Sequence, residues 1–168
     1  VQRRHGALLT MGYSDASTPA GVAPYPGLLV RVTDALGRQL TLTYTTVGEV
    51  ATVTDPAGNV STSTYDAQGR LQALRRPGTN ALGQPAERTF HYENPDFPSA
   101  LTGITDEEGA RFATYTYDAH GRAHRTEHAS GSGPVAVYTL AFNPDGSSAV
   151  TDPLGTVRTF GHALVANS

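Results

Sequence analysis

The chain has no cysteine, no tryptophan, one methionine, few charges and no long apolar run. Each shortage excludes something. Without cysteine there is no disulfide, no thiol nucleophile and no thiolate metal site, although the compartment stays open. Charged residues fill only 16% of positions and leave a net charge of −3. That is too sparse for a disordered polyelectrolyte and of the wrong sign for a nucleic-acid surface. The basic pairs Arg3–Arg4 and Arg75–Arg76 would split between opposite faces of a strand. No apolar run reaches the roughly 18–20 residues that a bilayer-spanning helix needs. The opening "VQRRHGALLTMGYS" is basic but lacks a useful apolar h-region, and position 1 is Val. The expectation is a chain without a signal peptide that is a piece of something longer. No window of a dozen residues carries a 3.6-residue apolar period free of Gly and Pro, so almost no helix is expected.

What is present points to strands and turns. Glycine (18) and proline (11) are spread along the chain, 38% of residues are hydrophobic, and Thr, Val and Tyr recur. That mix predicts many short strands, and 168 residues suffice for one ordinary domain.

The turns repeat. One unit is Thr-Asp-x-x-Gly: "TDALG" (Asp34, Gly37), "TDPAG" (Asp55, Gly58), "TDEEG" (Asp106, Gly109) and "TDPLG" (Asp152, Gly155). The other is Tyr-Asp-x-x-Gly: "YDAQG" (Tyr65, Asp66, Gly69) and "YDAHG" (Tyr117, Asp118, Gly121), with looser copies "YTTVG" at 44–48 and "FNPDG" at 142–146. The two types alternate, and Gly37 to Gly58 and Gly48 to Gly69 each span 21 residues. Asp at the first position accepts backbone N–H groups from further round the turn, and Pro suits the second position. Gly closes the turn where φ must be positive, giving a type I turn with a bulge. Hairpins are therefore expected at Gly37, Gly48, Gly58, Gly69, Gly109 and Gly121.

Between the turns, "RQLTLTY" alternates apolar and polar residues, and "ERTFHYE" and "RFATYTY" do so with aromatics. "VAVYTLAF" is apolar on both faces and is expected to be covered on both sides. Three stretches interrupt the repeat: "RRPGTNALGQPAE" (75–87) as an extended hairpin tip, "NPDFPSA" (94–100) as an irregular turn, and "ASGSGPV" (129–135) as a flexible loop. Residues 1–27 read as an irregular N-terminal segment, 28–160 as the repeat sheet and 161–168 as a truncated C-terminal end.

Alternating Tyr-Asp-x-x-Gly-Arg and Thr-Asp-x-x-Gly turns resemble the RHS/YD-repeat family over roughly residues 28–160. The block "PSALTGITDEEGARFATYTYDAHGR" (98–122) is especially similar to bacterial Rhs proteins. The resemblance implies an all-β fold, an antiparallel sheet of tandem hairpins forming a segment of a spiralling hollow shell. It implies a non-catalytic wall that encloses a C-terminal toxin domain in bacterial competition or virulence. The partners would be neighbouring RHS repeats, the toxin and a secretion-spike protein, and the protein would be secreted or delivered through a secretion system. The alternative, from teneurin-like relatives, is a carbohydrate- or cell-surface-binding module at the cell surface. "DPLGT" (152–156) is similar to the Asp-Pro-x-Gly-Leu self-cleavage boundary of bacterial shells, but Thr156 replaces the Leu, so no protease or toxin role is carried to any residue.

Catalytic chemistry fares poorly against simpler uses of the same residues. His120, His124 and His128 are four apart, but Gly121 puts the first in a turn and a strand separates the other two by about 13 Å. They are expected to be solvated strand histidines, with no metal site. "NPDGSSAVTDPL" (143–154) has oxygen ligands at its start but Leu154 where a calcium loop needs Glu. The repeated aspartates could be imagined as a glycosidase pair, yet the turns demand them structurally. The tyrosines could stack on sugars; cross-strand packing with the hydroxyl bonded at the edge is the expectation. No nucleophile elbow, phosphate loop or dinucleotide fingerprint is present. No catalytic residue and no cofactor is expected.

Overall fold

The computed structural model describes residues 9–130 and 133–161, and these contain thirteen strands and no helix. The chain divides into two compact units, Val1–Glu87 and Arg88–Ser168. The first holds β1 (Thr10–Tyr13), β2 (Leu29–Thr33), β3 (Gln39–Tyr44), β4 (Val50–Thr54), β5 (Val60–Tyr65) and β6 (Leu71–Thr79). The boundary falls within β7 (Pro85–His91). The second unit continues with β8 (Gly103–Thr105), β9 (Arg111–Tyr117), β10 (Ala123–Ser130), β11 (Gly133–Phe142), β12 (Ser148–Thr151) and β13 (Val157–Phe160). Within each unit every strand pairs antiparallel with its neighbours in sequence, so the connections are hairpins throughout.

Directly opposed residues share a face, so the register sorts the side chains of the first unit. One face carries the rows Arg31–Thr41–Thr54–Val60 and Thr43–Thr52–Thr62–Arg75. The other carries Val32–Leu40, Leu42–Val53–Ser61 and Ser63–Leu74. The strands "TLT", "TVT" and "TST" thus build a hydroxyl face backed by a more apolar one. Thr43 and Thr52 close one row with a side-chain hydrogen bond of 2.6 Å.

Among the described residues no second sheet or helix covers either face within a unit. Among the described residues the buried hydrophobics are Ala23, Ala73 and Ala113, and no large side chain is fully buried. This departs from the expectation that "VAVYTLAF" is covered on both sides: Val135 is 45% and Tyr138 41% exposed. An apolar pattern on both faces marks a strand that could be sandwiched, and here the unit supplies no layer to do it.

Two further stretches differ from their expectation, and a third, the extended hairpin tip at 75–87, meets it. Thr10–Tyr13, inside the N-terminal segment read as irregular, is a strand because β2 offers it a ladder partner. The presumed loop at 129–135 is strand up to Ser130 and again from Gly133. The 75–87 excursion is strand to Thr79 and from Pro85, joined by a further tight turn at Asn80–Gly83. Of the C-terminal end 161–168, residues 162–168 lie outside the described residues.

Candidate functional site

The repeated turns are one construction used many times. At Asp34 the carboxylate Oδ1 accepts the N–H of Leu36 at 2.9 Å and of Arg38 at 3.0 Å, while the Gly37 N–H donates to the Asp34 carbonyl at 3.0 Å. Asp55, Asp66, Asp106, Asp118 and Asp152 accept the same two N–H groups at 2.8–3.0 Å. Gly37, Gly58, Gly69, Gly109, Gly121 and Gly155 close these turns with φ between 75° and 86°, a conformation that glycine alone adopts freely. Asn80 does the same work in "NALG", its Oδ1 accepting from Leu82 and Gln84 at 3.0 and 2.9 Å.

The residue after each glycine completes the turn. Arg38, Arg70 and Arg122 each donate Nε to the other carboxylate oxygen of Asp34, Asp66 and Asp118, at 2.7, 2.6 and 2.8 Å. Asn59 replaces arginine at Asp55, at 2.8 Å. The arginine of Tyr-Asp-x-x-Gly-Arg is thus a second clasp, a role the spacing alone did not assign. Hydrogen bonds from this residue are the largest reason why Asp34, Asp55, Asp118 and Asp152 sit below the ordinary carboxylate range. Asp118 reaches about 2, with the Arg122 backbone N–H as the leading cause. These are carboxylates held ionised, the reverse of a general acid.

The tyrosines before the turns also share one geometry. Tyr44, Tyr65 and Tyr117 donate their hydroxyls to the carbonyls of Leu29, Val50 and Leu101 at 2.7, 3.0 and 2.7 Å. Each ring is half-buried, and burial raises the Tyr44 and Tyr117 hydroxyl pKa above the usual value. At each of the three, the ladder slips by one residue, leaving Ala51, Gln72 and His124 as bulged residues in the following strand. With the hydroxyl bonded to backbone, the rings serve the sheet.

The two turn types differ in what covers them. A Cβ added at Gly37, Gly58, Gly109 or Gly155 would meet open space. One added at Gly121 would lie 2.9 Å from the Phe97 ring, at Gly69 3.1 Å from Glu49, and at Gly48 2.8 Å from Cζ of Tyr25. Tyr25 and Phe97 come from the two long connections, 14–28 and 92–102, so each clips the glycine of a later turn of the tyrosine type. This contact is tertiary and had no signal in the sequence beyond two aromatics in proline-rich stretches.

The other candidate groups do not converge. The His120 N–H donates to Asp118, His124 Nε2 lies 3.3 Å from Thr116 Oγ1, and His128 packs edge-on against Phe112 at 4.7 Å. Asp145 Oδ1 accepts the Ser147 N–H and hydroxyl at 2.9 and 2.7 Å, so the 143–147 segment satisfies itself. Among the described residues no group of three or more His, Asp or Glu side chains could hold a metal ion. A shallow groove of about 440 Å³ in the second unit runs along Glu93, Arg111 and Tyr115; Arg111 forks onto Glu93 at 3.1 and 2.9 Å, and that bond chiefly lowers the Glu93 pKa.

Set against known families, residues 27–60 and 44–81 match the family model described as RHS Repeat. Residues 27–81 carry RHS repeats. The matched segment holds the turns at Asp34, Thr45, Asp55 and Asp66, and the Asp118 turn beyond it has the same bonds as the Asp66 turn and the same tyrosine anchor. No curated protein matches the sequence. Among solved structures, the crystal structure of TcdB2-TccC3-Cdc42 aligns with 90% of this chain at 12% identity and a TM-score of 0.36. The chain spans 12% of the length of that solved chain.

Proposed function

We propose that these RHS repeats form a non-catalytic segment of a toxin-encapsulating wall, secreted or delivered through a secretion system. The observation that carries this reading is the near absence of a core: each unit is a single layer held by ladder hydrogen bonds and clasped turns, with both faces half-exposed. A wall needs such a layer, with one face for solvent and one for contents. The more apolar face of the first unit suits a polypeptide cargo, and the hydroxyl face suits water. Neighbouring repeats would pair with the outer strands and cover what is left open. A C-terminal toxin would be the cargo, and a secretion-spike protein the carrier.

No group in the described residues is arranged as an acid–base pair or an activated nucleophile, and the aspartates are spent on turns, which supports a structural role. The tyrosines that would have served a sugar platform have their hydroxyls bonded within the sheet, which weighs against the alternative of a glycan-binding array.

The test is protease protection of the longest natural chain that contains residues 1–168. The wall reading expects a downstream segment that resists protease while the repeats are folded and is cut once mild acid or denaturant opens them. A downstream segment cut equally fast in both states refutes encapsulation.

A further inference from the structure

Arg31 stands apart from most other arginines of the sheet. Arg38, Arg70, Arg88, Arg111, Arg122 and Arg125 each hold a carboxylate. Arg31 has no carboxylate or hydrogen-bond partner among the described residues, and its position on β2 is on the hydroxyl face.

It lies in a groove of about 450 Å³ in the first unit, together with Tyr13, Thr18, Gln39, Thr41 and Thr43. No acidic residue lines this groove. Gln39 and Thr41 are exposed, with side-chain polar atoms that have no partner among the described residues, whereas the Tyr13 hydroxyl turns to Met11 on the other face. Gly12, opposite Arg31 on β1, lets the Arg31 side chain lie across it: a Cβ there would sit 3.5 Å from the arginine's Cβ, Nε and Nη2. One uncompensated planar cation, hydroxyls and an amide are the complement of a small hydroxylated anion. Guanidinium forks match carboxylates bidentately, while hydroxyls and an amide match sugar hydroxyls.

We propose that this groove binds a carboxylate-bearing sugar, with Arg31 anchoring the carboxylate and Gln39 and Thr41 holding ring hydroxyls. The site is independent of the turn machinery and of any enclosed cargo. A uronic acid and a sialic acid share the required chemistry, and the two are separate arms of the test.

The experiment titrates the longest natural chain that contains residues 1–168 with methyl glucuronide, N-acetylneuraminic acid, methyl glucoside and acetate, followed by calorimetry or by ligand-observed NMR. One of the two acidic sugars is expected to bind at least about 10-fold more tightly than methyl glucoside and acetate, since a charge-assisted bond contributes on the order of 1.5–3 kcal/mol. Added salt should weaken it. Arg31→Gln should abolish the preference for the acidic sugar. Gly12→Leu, at a position without positive φ, should displace the guanidinium from its place across Gly12 and weaken binding with Arg31 retained, while Arg75→Gln on the same face should leave it unchanged. Thermal melts of each variant check the fold. Equal binding of glucuronide and glucoside, acetate as tight as either acidic sugar, no binding at all, or full binding by folded Arg31→Gln would each overturn the proposal.

Discussion

Replacing Gly121 with alanine should destabilise the chain more than replacing Gly109, although both close the same kind of turn. The shared part of the loss is conformational. Both glycines sit at positive φ, 75° and 79°, and a residue with a Cβ costs about 1–2 kcal/mol there. At Gly109 that is the whole effect, because the new methyl meets open space. At Gly121 the methyl would lie 2.9, 3.1 and 3.3 Å from three atoms of the Phe97 ring. The main chain that carries the ring is held, with the Phe97 N–H bonded to Asn94 Oδ1 at 3.0 Å and its carbonyl accepting the Ala100 N–H at 2.9 Å, so relief requires the ring to leave its rotamer. Forcing a methyl into such a contact costs a further ~1–3 kcal/mol. The expected losses are therefore about 1–2 kcal/mol for Gly109→Ala and about 2–4 kcal/mol for Gly121→Ala. The assay is urea unfolding followed by far-UV circular dichroism, with all variants at one fixed low concentration so that any association shifts them alike. A double-mutant cycle with Phe97→Ala isolates the ring: the Gly121→Ala penalty should shrink toward that of Gly109→Ala. Equal losses at the two glycines, or no coupling between positions 97 and 121, would refute the clip.

Further expectations concern the same turns. Gly69→Val and Gly121→Val should each cost at least about 1–3 kcal/mol, because a β-branched residue is forced to positive φ; wild-type urea midpoints would show that the turns are not built this way. Tyr117→Phe should lose about 0.5–1.5 kcal/mol through the bond to the Leu101 carbonyl, read by the same melts, whereas Tyr138→Phe, at an exposed ring, should lose nothing measurable. Asp118 titrates near 2 in the fold against about 3.9 unfolded. Its contribution is therefore complete above about pH 4 and is lost as pH falls through about 2. Acid melts should show Asp118→Asn flattening that part of the stability profile; an unchanged profile would contradict the linkage.

The spacing of Asp and Gly made the turns legible, because Asp-x-x-Gly contains its own hydrogen bonds and needs nothing distant. The all-β architecture followed from the same local signals. Asn80–Gly83 has the identical turn, but Asn in place of Asp, amid Pro and Gly, hid it inside an apparent excursion. β1 was hidden because "TMGY" has little strand character until β2 presents a ladder to it. The two-faced apolar pattern of "VAVYTLAF" reads as burial, whereas burial requires a second layer that a repeat unit does not contain. The clips of Tyr25 over Gly48 and Phe97 over Gly121 join residues 23 and 24 positions apart, and no local pattern announces such a contact. The Arg31 groove was equally silent, since an arginine shows its lack of a partner only in three dimensions.

The most direct test of the central claim, that these repeats are a layer built to be covered by something else, is static light scattering of the purified 168-residue chain across concentration. With almost no buried core and outer strands that invite pairing, the chain alone should show an average mass that rises with concentration. Adding flanking repeats should return a monodisperse species. A concentration-independent monomer with a cooperative melt would contradict the account and mean that this stretch satisfies its own faces.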